Sequence, residues 1–173
     1  MACHGGNTKA LPVSFGPITP DNVGQLRKIL AVTLPVRYQD KFYDAIVRTH
    51  EDITKYAVWN GFTVGAICCR VETHGEGADK TSKLYIMAMG VLPAYRRRGI
   101  GSKLLQSVLD GIDQFPEVSE IYLHVQTSNA LAMDFYKLFG FTLTRTIPDY
   151  YKHIEPTDAN VLSKAVNIGS AAK

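Results

Sequence analysis

Apolar positions recur along the chain with two periods, and their alternation predicts an order of strands and helices. Val23, Leu26, Ile29 and Leu30 share one side of a 3.6-residue repeat. They predict a first helix that Thr19 caps, with Pro20 at its first position, and that ends before Pro35. Residues 11–15 predict a short strand ahead of it, and 39–47 a short second helix. Residues 56–59 and 62–71 read as strands on either side of Asn60-Gly61, the pair that best supplies the positive φ angles of a tight hairpin. A polar connection over 74–82 leads into a long strand over 83–91.

Leu104, Leu105, Val108, Leu109 and Ile112 then predict a helix after Gly101 that Phe115-Pro116 stops. Over 120–126 the period is two, with Ile121, Leu123 and Val125 on one face and Tyr122, His124 and Gln126 on the other. Asn129 is placed to cap a last helix ending at Phe139, with Gly140 just beyond it. Residues 141–146 and 159–166 are the closing strands, joined through Asp149-Tyr150-Tyr151. The order is β-α-α-β-β-β-α-β-α-β-β, an α/β (α+β) pattern.

Composition narrows this little. The 173 residues suit one domain over 11–166, between polar tails at 1–10 and 167–173 that are expected to be flexible. A net charge of +3 is too small and too scattered to argue for DNA or RNA. No apolar run approaches the ~20 residues of a membrane span, and the first residues lack the apolar core of a secretion signal. The expected location is therefore inside the cell. Zinc-type spacing and a nucleophile triad are both lacking, so no metal site is expected. Cys68 and Cys69 adjoin in a strand, which predicts one thiol in the core and one toward solvent.

The candidate chemistry begins where the strand over 83–91 runs into the next helix, at Arg96-Arg97-Arg98-Gly99-Ile100-Gly101-Ser102. Two glycines let backbone approach a ligand closely, a helix start offers unpaired N–H groups, and three guanidinium groups add charge suited to phosphate oxygens. The alternative is a basic loop that merely opens a helix. The spacing is neither G-x-G-x-x-G nor a P-loop.

Arg96-x-x-Gly99-x-Gly101 resembles the acetyl-CoA pyrophosphate loop of the GCN5-related N-acetyltransferases, and the element order resembles their fold over residues 11–166. That resemblance implies a mixed central sheet of about seven strands with flanking helices. Four strings are more specific: Leu34-Pro35-Val36-Arg37-Tyr38, Lys83-Leu84-Tyr85-Ile86-Met87, Ile121-Tyr122-Leu123-His124-Val125-Gln126, and Tyr150-Tyr151-Lys152-His153-Ile154-Glu155-Pro156. Together they resemble the San-type branch, the catalytic subunits of NatE N-terminal acetyltransferases. The branch often has Phe where this chain has Leu34, which puts the pocket's width in question.

The resemblance implies transfer of acetyl from acetyl-CoA to the α-amine of proteins, with preference for Met followed by an apolar residue and with secondary acetylation of lysine. It assigns Tyr85 and His124 to proton handling through a water. Met89, Gly90 and Val91 would pair with the pantetheine arm, and Arg96, Arg97, Arg98, Gly99, Ile100, Gly101 and Ser102 would hold the pyrophosphate. Asn129 and Tyr136 complete that set, Tyr136 near the sulfur. Leu34, Pro35, Val36, Tyr38, Arg70, Met87, Tyr150 and Tyr151 would receive the peptide. Implied partners are nascent protein N-termini, the auxiliary and catalytic subunits of a NatA complex, and the ribosome, in the cytoplasm or also the nucleus. Two alternatives stay open: a mainly non-catalytic docking subunit, and an acetyltransferase of small amines.

Overall fold

A computed structural model describes residues 9–75, 77 and 80–166. The strands are β1 (Ser14–Pro17), β2 (Lys55–Trp59), β3 (Phe62–His74), β4 (Thr81–Val91), β5 (Val118–Gln126), β6 (Thr142–Ile147) and β7 (Ala159–Ala165). The helices are α1 (Val23–Thr33), α2 (Asp40–Ile46), α3 (Ile100–Asp110) and α4 (Ala130–Leu138). All seven strands form one mixed sheet in the order β1-β2-β3-β4-β5-β7-β6, and its one parallel pair is β4 with β5. Element order and sheet agree with the sequence pattern. The expected tails lie outside the described residues, apart from the exposed Lys9 and Ala10.

Both faces of the sheet are covered. On one, Leu26, Ile29 and Leu30 of α1 and Phe42, Tyr43 and Ile46 of α2 bury against Tyr56, Ala66, Cys68 and Ala88. On the other, Ile100, Leu104, Leu105 and Val108 of α3 bury against Ile67, Cys69, Leu84 and Ile121, with Tyr136 and Phe141 at the α4 end. Cys68 and Cys69 thus face opposite cores and neither meets solvent, contrary to the expectation of one solvated thiol. Alternation along β3 was legible, but not the second layer of helices.

Two boundaries near the start of the chain also differ, and the helix expected to run to Phe115 ends at Asp110. The strand expected over 11–15 begins only at Ser14, because Leu11 donates its N–H to the Arg98 carbonyl (3.1 Å) and accepts from Lys103 Nζ (2.8 Å). The first helix begins at Val23 with Asn22, not Thr19, at its cap position. The Asn22 side chain accepts from the Thr19 N–H (2.8 Å) and donates to the Pro17 carbonyl (3.0 Å), closing a turn before the helix. The hairpin forms as expected, with Asn60 at φ 48° and Gly61 at φ 80°.

The site depends on a separation between β4 and β5. Their parallel ladder runs from Ser82 opposite Val118 to Tyr85 opposite Tyr122, and stops there. Beyond it β4 stays paired with β3 as far as Val91, and β5 with β7 as far as Gln126. The strands part beside a bulge in β4, where Met87 lies between the Cys69–Ile86 and Cys68–Ala88 pairs. A bulge bends and twists its strand.

Candidate active site

The gap between β4 and β5 opens into a cavity of about 1060 Å³. One end is the start of α3. Gly99, at φ 75°, turns the chain into the helix, and Arg97 precedes it at φ 63°. The first intrahelical bond is from the Lys103 N–H to the Gly99 carbonyl (3.0 Å). The N–H groups of Ile100, Gly101 and Ser102 therefore precede the helical ladder, at the positive end of the helix dipole. A Cβ on Gly101 would meet only Phe135 and Val91, at 3.8 to 4.0 Å, so packing does not demand glycine there. Both neighbours line the cavity, so its missing side chain leaves room on the ligand side.

The basic residues differ in what they do. Arg96 and Arg97 line the cavity, and Arg96 Nε also donates to the Val91 carbonyl (2.9 Å), tying the loop to the end of β4. Arg98 does not line it; its carbonyl holds Leu11. Met89, Val91 and Asn129 form the walls, and Asn129 caps α4 by accepting the Ala132 N–H (3.1 Å). Gly90 is not in the lining: a Cβ there would lie 2.2 Å from Thr33 Oγ1, so this glycine admits α1 to the sheet. Tyr136 lines the cavity while packing on Phe135 and Phe141, and burial pushes its hydroxyl pKa up.

At the other end three rings from three elements meet. His124 Nδ1 lies 3.2 Å from the Tyr85 hydroxyl, which lies 3.4 Å from the Tyr150 hydroxyl. Tyr150 stacks flat on His124 at 4.3 Å between centroids. Leu34, Pro35 and Val36 line this end with Met87 and Tyr151. Tyr38 stacks on Phe42 and donates to the Met87 carbonyl (3.0 Å). The loop that carries Tyr150 and Tyr151 is tied to the end of β5: Gln126 Nε2 donates to the Pro156 carbonyl (2.8 Å), and the Thr127 N–H to that of Asp158 (3.1 Å).

The electrostatics separate the roles of these rings. Burial, then the charge of Arg145, hold the His124 imidazole below its usual 6.5 against the pull of Glu72, so it is neutral at pH 7. Burial, then the hydrogen bond with Tyr150, push the Tyr85 pKa upward, so that hydroxyl keeps its proton. Burial, and then the neighbouring Tyr150, raise Tyr151 to about 12.

Arg70 stands behind this cluster rather than in the lining. It pairs with Glu72, and its guanidinium carbon is 5.8 Å from the Tyr85 ring centroid. Glu72 and Tyr122 were not foreseen. Their only sequence signal is spacing: Glu72 shares a strand face with Arg70, and Tyr122 shares one with His124.

The sequence model of the acetyltransferase (GNAT) family matches residues 23–141, from the start of α1 through the α3 loop and α4 to Phe141, just before β6. This chain belongs to that family. It is a GNAT enzyme that takes its acetyl group from acetyl-CoA. N-alpha-acetyltransferase 50 of Danio rerio is 45% identical over 154 residues, 89% of each chain. The probable N-acetyltransferase san of Drosophila melanogaster is 40% identical over 154 residues, 89% of this chain and 81% of that one. The solved structure of Arabidopsis thaliana Naa50 in complex with the bisubstrate analogue CoA-Ac-MVNAL superposes with a TM-score of 0.81 at 45% identity, covering 89% of this chain and 99% of that one. The GNAT cofactor fits what the cavity offers: free helix-start amides, two cavity-lining arginines and a glycine that packing does not require.

Proposed function

We propose that this GNAT chain acetylates the free N-terminal amine of proteins, preferring Met followed by an apolar residue, by direct transfer with a water-relayed general base. One observation carries the reading: a single cavity is lined by the α3 amide loop, by neutral His124 beside protonated Tyr85, and by the apolar Leu34, Pro35 and Val36. Support comes also from relatives named as N-alpha-acetyltransferases, one of them bound to an analogue whose peptide part reads MVNAL.

In this reading the amides from Arg97 to Ser102, with the Arg96 and Arg97 side chains, would hold the pyrophosphate. The backbone of Met89 to Val91 would hold the pantetheine arm, beside Asn129. Acetyl-CoA supplies the acetyl group as an activated thioester. Leu34, Pro35 and Val36 give the substrate methionine an apolar wall, and the Tyr38, Tyr150 and Tyr151 rings flank the peptide. His124, kept neutral, takes the proton of the amine through a water that Tyr85 orients. Tyr136, kept protonated by burial, would give a hydrogen bond to the sulfur.

An α-amine with a pKa of ~7.7 to 8.0 is about a tenth neutral at pH 7, whereas lysine near ~10.4 is neutral about once in several thousand. The base described suits the first, and lysine acetylation is secondary. By resemblance the substrates are nascent chains in the cytoplasm, met beside a NatA complex and the ribosome.

CoA release with a Met-Leu peptide, its N-terminally blocked twin and spermidine tests the reading. Turnover of the free peptide alone is expected. Equal turnover of the blocked peptide or of spermidine would contradict it.

A further inference from the structure

Glu72 is the carboxylate behind the proton-handling cluster. Its side chain is only 16% exposed, and both oxygens are occupied. One accepts from Arg70 Nε (3.1 Å) and Nη2, and the other accepts from the Tyr122 hydroxyl. Burial opposes its charge, but the bonds from Tyr122 and Arg70 and the nearby charges of Arg70 and His74 outweigh it, so the carboxyl is held below its usual range. A mostly buried carboxylate is retained only where its partners compensate for lost water.

Those partners converge on one ring. Arg70, Tyr85 and Tyr122 stand directly opposite one another on β3, β4 and β5. Tyr122 stacks on Tyr85 with centroids 4.8 Å apart and planes 12° from parallel, and the Arg70 guanidinium faces the same ring from the neighbouring strand. Glu72 holds Arg70 on its own strand and reaches across β4 to Tyr122. The Tyr85–Tyr122 pair is also the last rung of the β4/β5 ladder, so no backbone bond across the gap restrains Tyr85 further along.

We propose that Glu72 is a positioning residue for acetyl transfer: by clamping Arg70 and Tyr122 on either side of Tyr85, it fixes the hydroxyl that meets His124. The inference rests on the reading of Tyr85 and His124 given above. The clamp sets the direction of the Tyr85 hydroxyl, and with it the orientation of the water that Tyr85 holds. The negative charge also favours the imidazolium that forms when His124 takes a proton. The groups that act on His124 are Tyr85 from β4, Tyr122 on its own strand, Glu72 from β3, Arg145 from β6 and Tyr150 from the loop before β7. Glu72 is the one anion among them.

The test is steady-state kinetics of Glu72→Gln, Glu72→Asp and Tyr122→Phe with acetyl-CoA and a Met-Leu peptide across pH. Misplacing a reacting group by ~1 Å costs about 10²-fold. We expect Glu72→Gln to lower kcat roughly 10- to 100-fold, while KM for acetyl-CoA, bound at the α3 end, stays within about twofold. Its acid limb should move to lower pH, because removing the anion makes the imidazolium less favourable. Glu72→Asp, which keeps the charge, should keep the wild-type limb. Tyr122→Phe, which loses only one hydroxyl, should lower kcat with no acidward movement.

A Glu72→Gln enzyme with wild-type kcat overturns the inference. So does one whose kcat falls in step with a rising acetyl-CoA KM and an unmoved limb, since that pattern is loss of structure alone. Failure of the underlying reading looks different: the wild-type enzyme would ignore the peptide, or would keep its rate with His124→Ala, and Glu72 would then have no such role.

Discussion

The imidazole of His124 lies flat against the ring of Tyr150, with centroids 4.3 Å apart and planes 12° from parallel. His124 belongs to β5 and Tyr150 to a loop 26 residues further along the chain, so the loop and the imidazole hold each other. Stacked aromatic pairs contribute about 0.5 to 1.5 kcal/mol beyond their buried area. We expect Tyr150→Ala to lower kcat roughly tenfold and to raise the peptide KM as well. Tyr150→Phe keeps the stack and should lose much less. Parallel peptide titrations of the two variants separate the ring from the hydroxyl.

The pH dependence follows from the direction of the His124 shift. Its imidazole titrates below 6.5, and the free α-amine of the substrate near ~7.7 to 8.0. Activity on peptides should climb through the amine's range and level off above about pH 8, with the limb due to His124 below 6.5. Folding carries the same sign: between the depressed folded value and 6.5 the unfolded chain binds more protons. The His124 contribution to stability is complete above 6.5 and falls as pH drops below it. An NMR titration of His124 and denaturant unfolding at several pH values check both statements, and His124→Ala should remove this share of the acid sensitivity.

Gly101 and Gly90 should respond oppositely. Gly101→Ala meets no close neighbour and sits in the first turn of α3, where alanine favours helix by up to about 1 kcal/mol. Its Tm should not fall, while KM for acetyl-CoA rises roughly tenfold, about 1.4 kcal/mol of lost binding. Gly90→Ala forces a Cβ onto Thr33 and should cost about 1 to 3 kcal/mol of stability. Adding Thr33→Ala, which removes the Oγ1 at 2.2 Å, should restore part of it. Melting curves and acetyl-CoA titrations of the three proteins read both effects.

Cys68 and Cys69 are fully buried, and burial pushes both thiols well above their usual range. Since the thiolate is the reactive form, neither should be alkylated in the native enzyme, and a thiol-blocking reagent should leave activity intact. Peptide mapping after alkylation, native against denatured, checks this.

What the sequence made legible was local. Asn60-Gly61 specifies its turn by positive φ angles, and Leu104, Leu105 and Val108 specify the buried side of α3 by their spacing. The loop from Arg96 to Gly101 was readable because a strand, two glycines and a helix start adjoin in the chain. What was not legible depends on partners far along it. Leu11 gives its backbone to Arg98 and Lys103 instead of a strand, and Asn22 takes the cap position by bridging Thr19 and Pro17. Neither thiol of the Cys68-Cys69 pair reaches water because a helix layer lies on each face. The link from Glu72 to Tyr122 crosses an intervening strand, which no spacing within one segment reveals.

The most direct measurement is the rate of CoA release on a Met-Leu peptide by wild-type and His124→Ala enzymes from about pH 6 to about pH 9, at saturating acetyl-CoA. We expect the variant to bind acetyl-CoA normally and to lose roughly 10²- to 10⁴-fold in kcat, the usual contribution of a positioned general base. Wild-type activity of His124→Ala over that whole range would contradict the proposed mechanism.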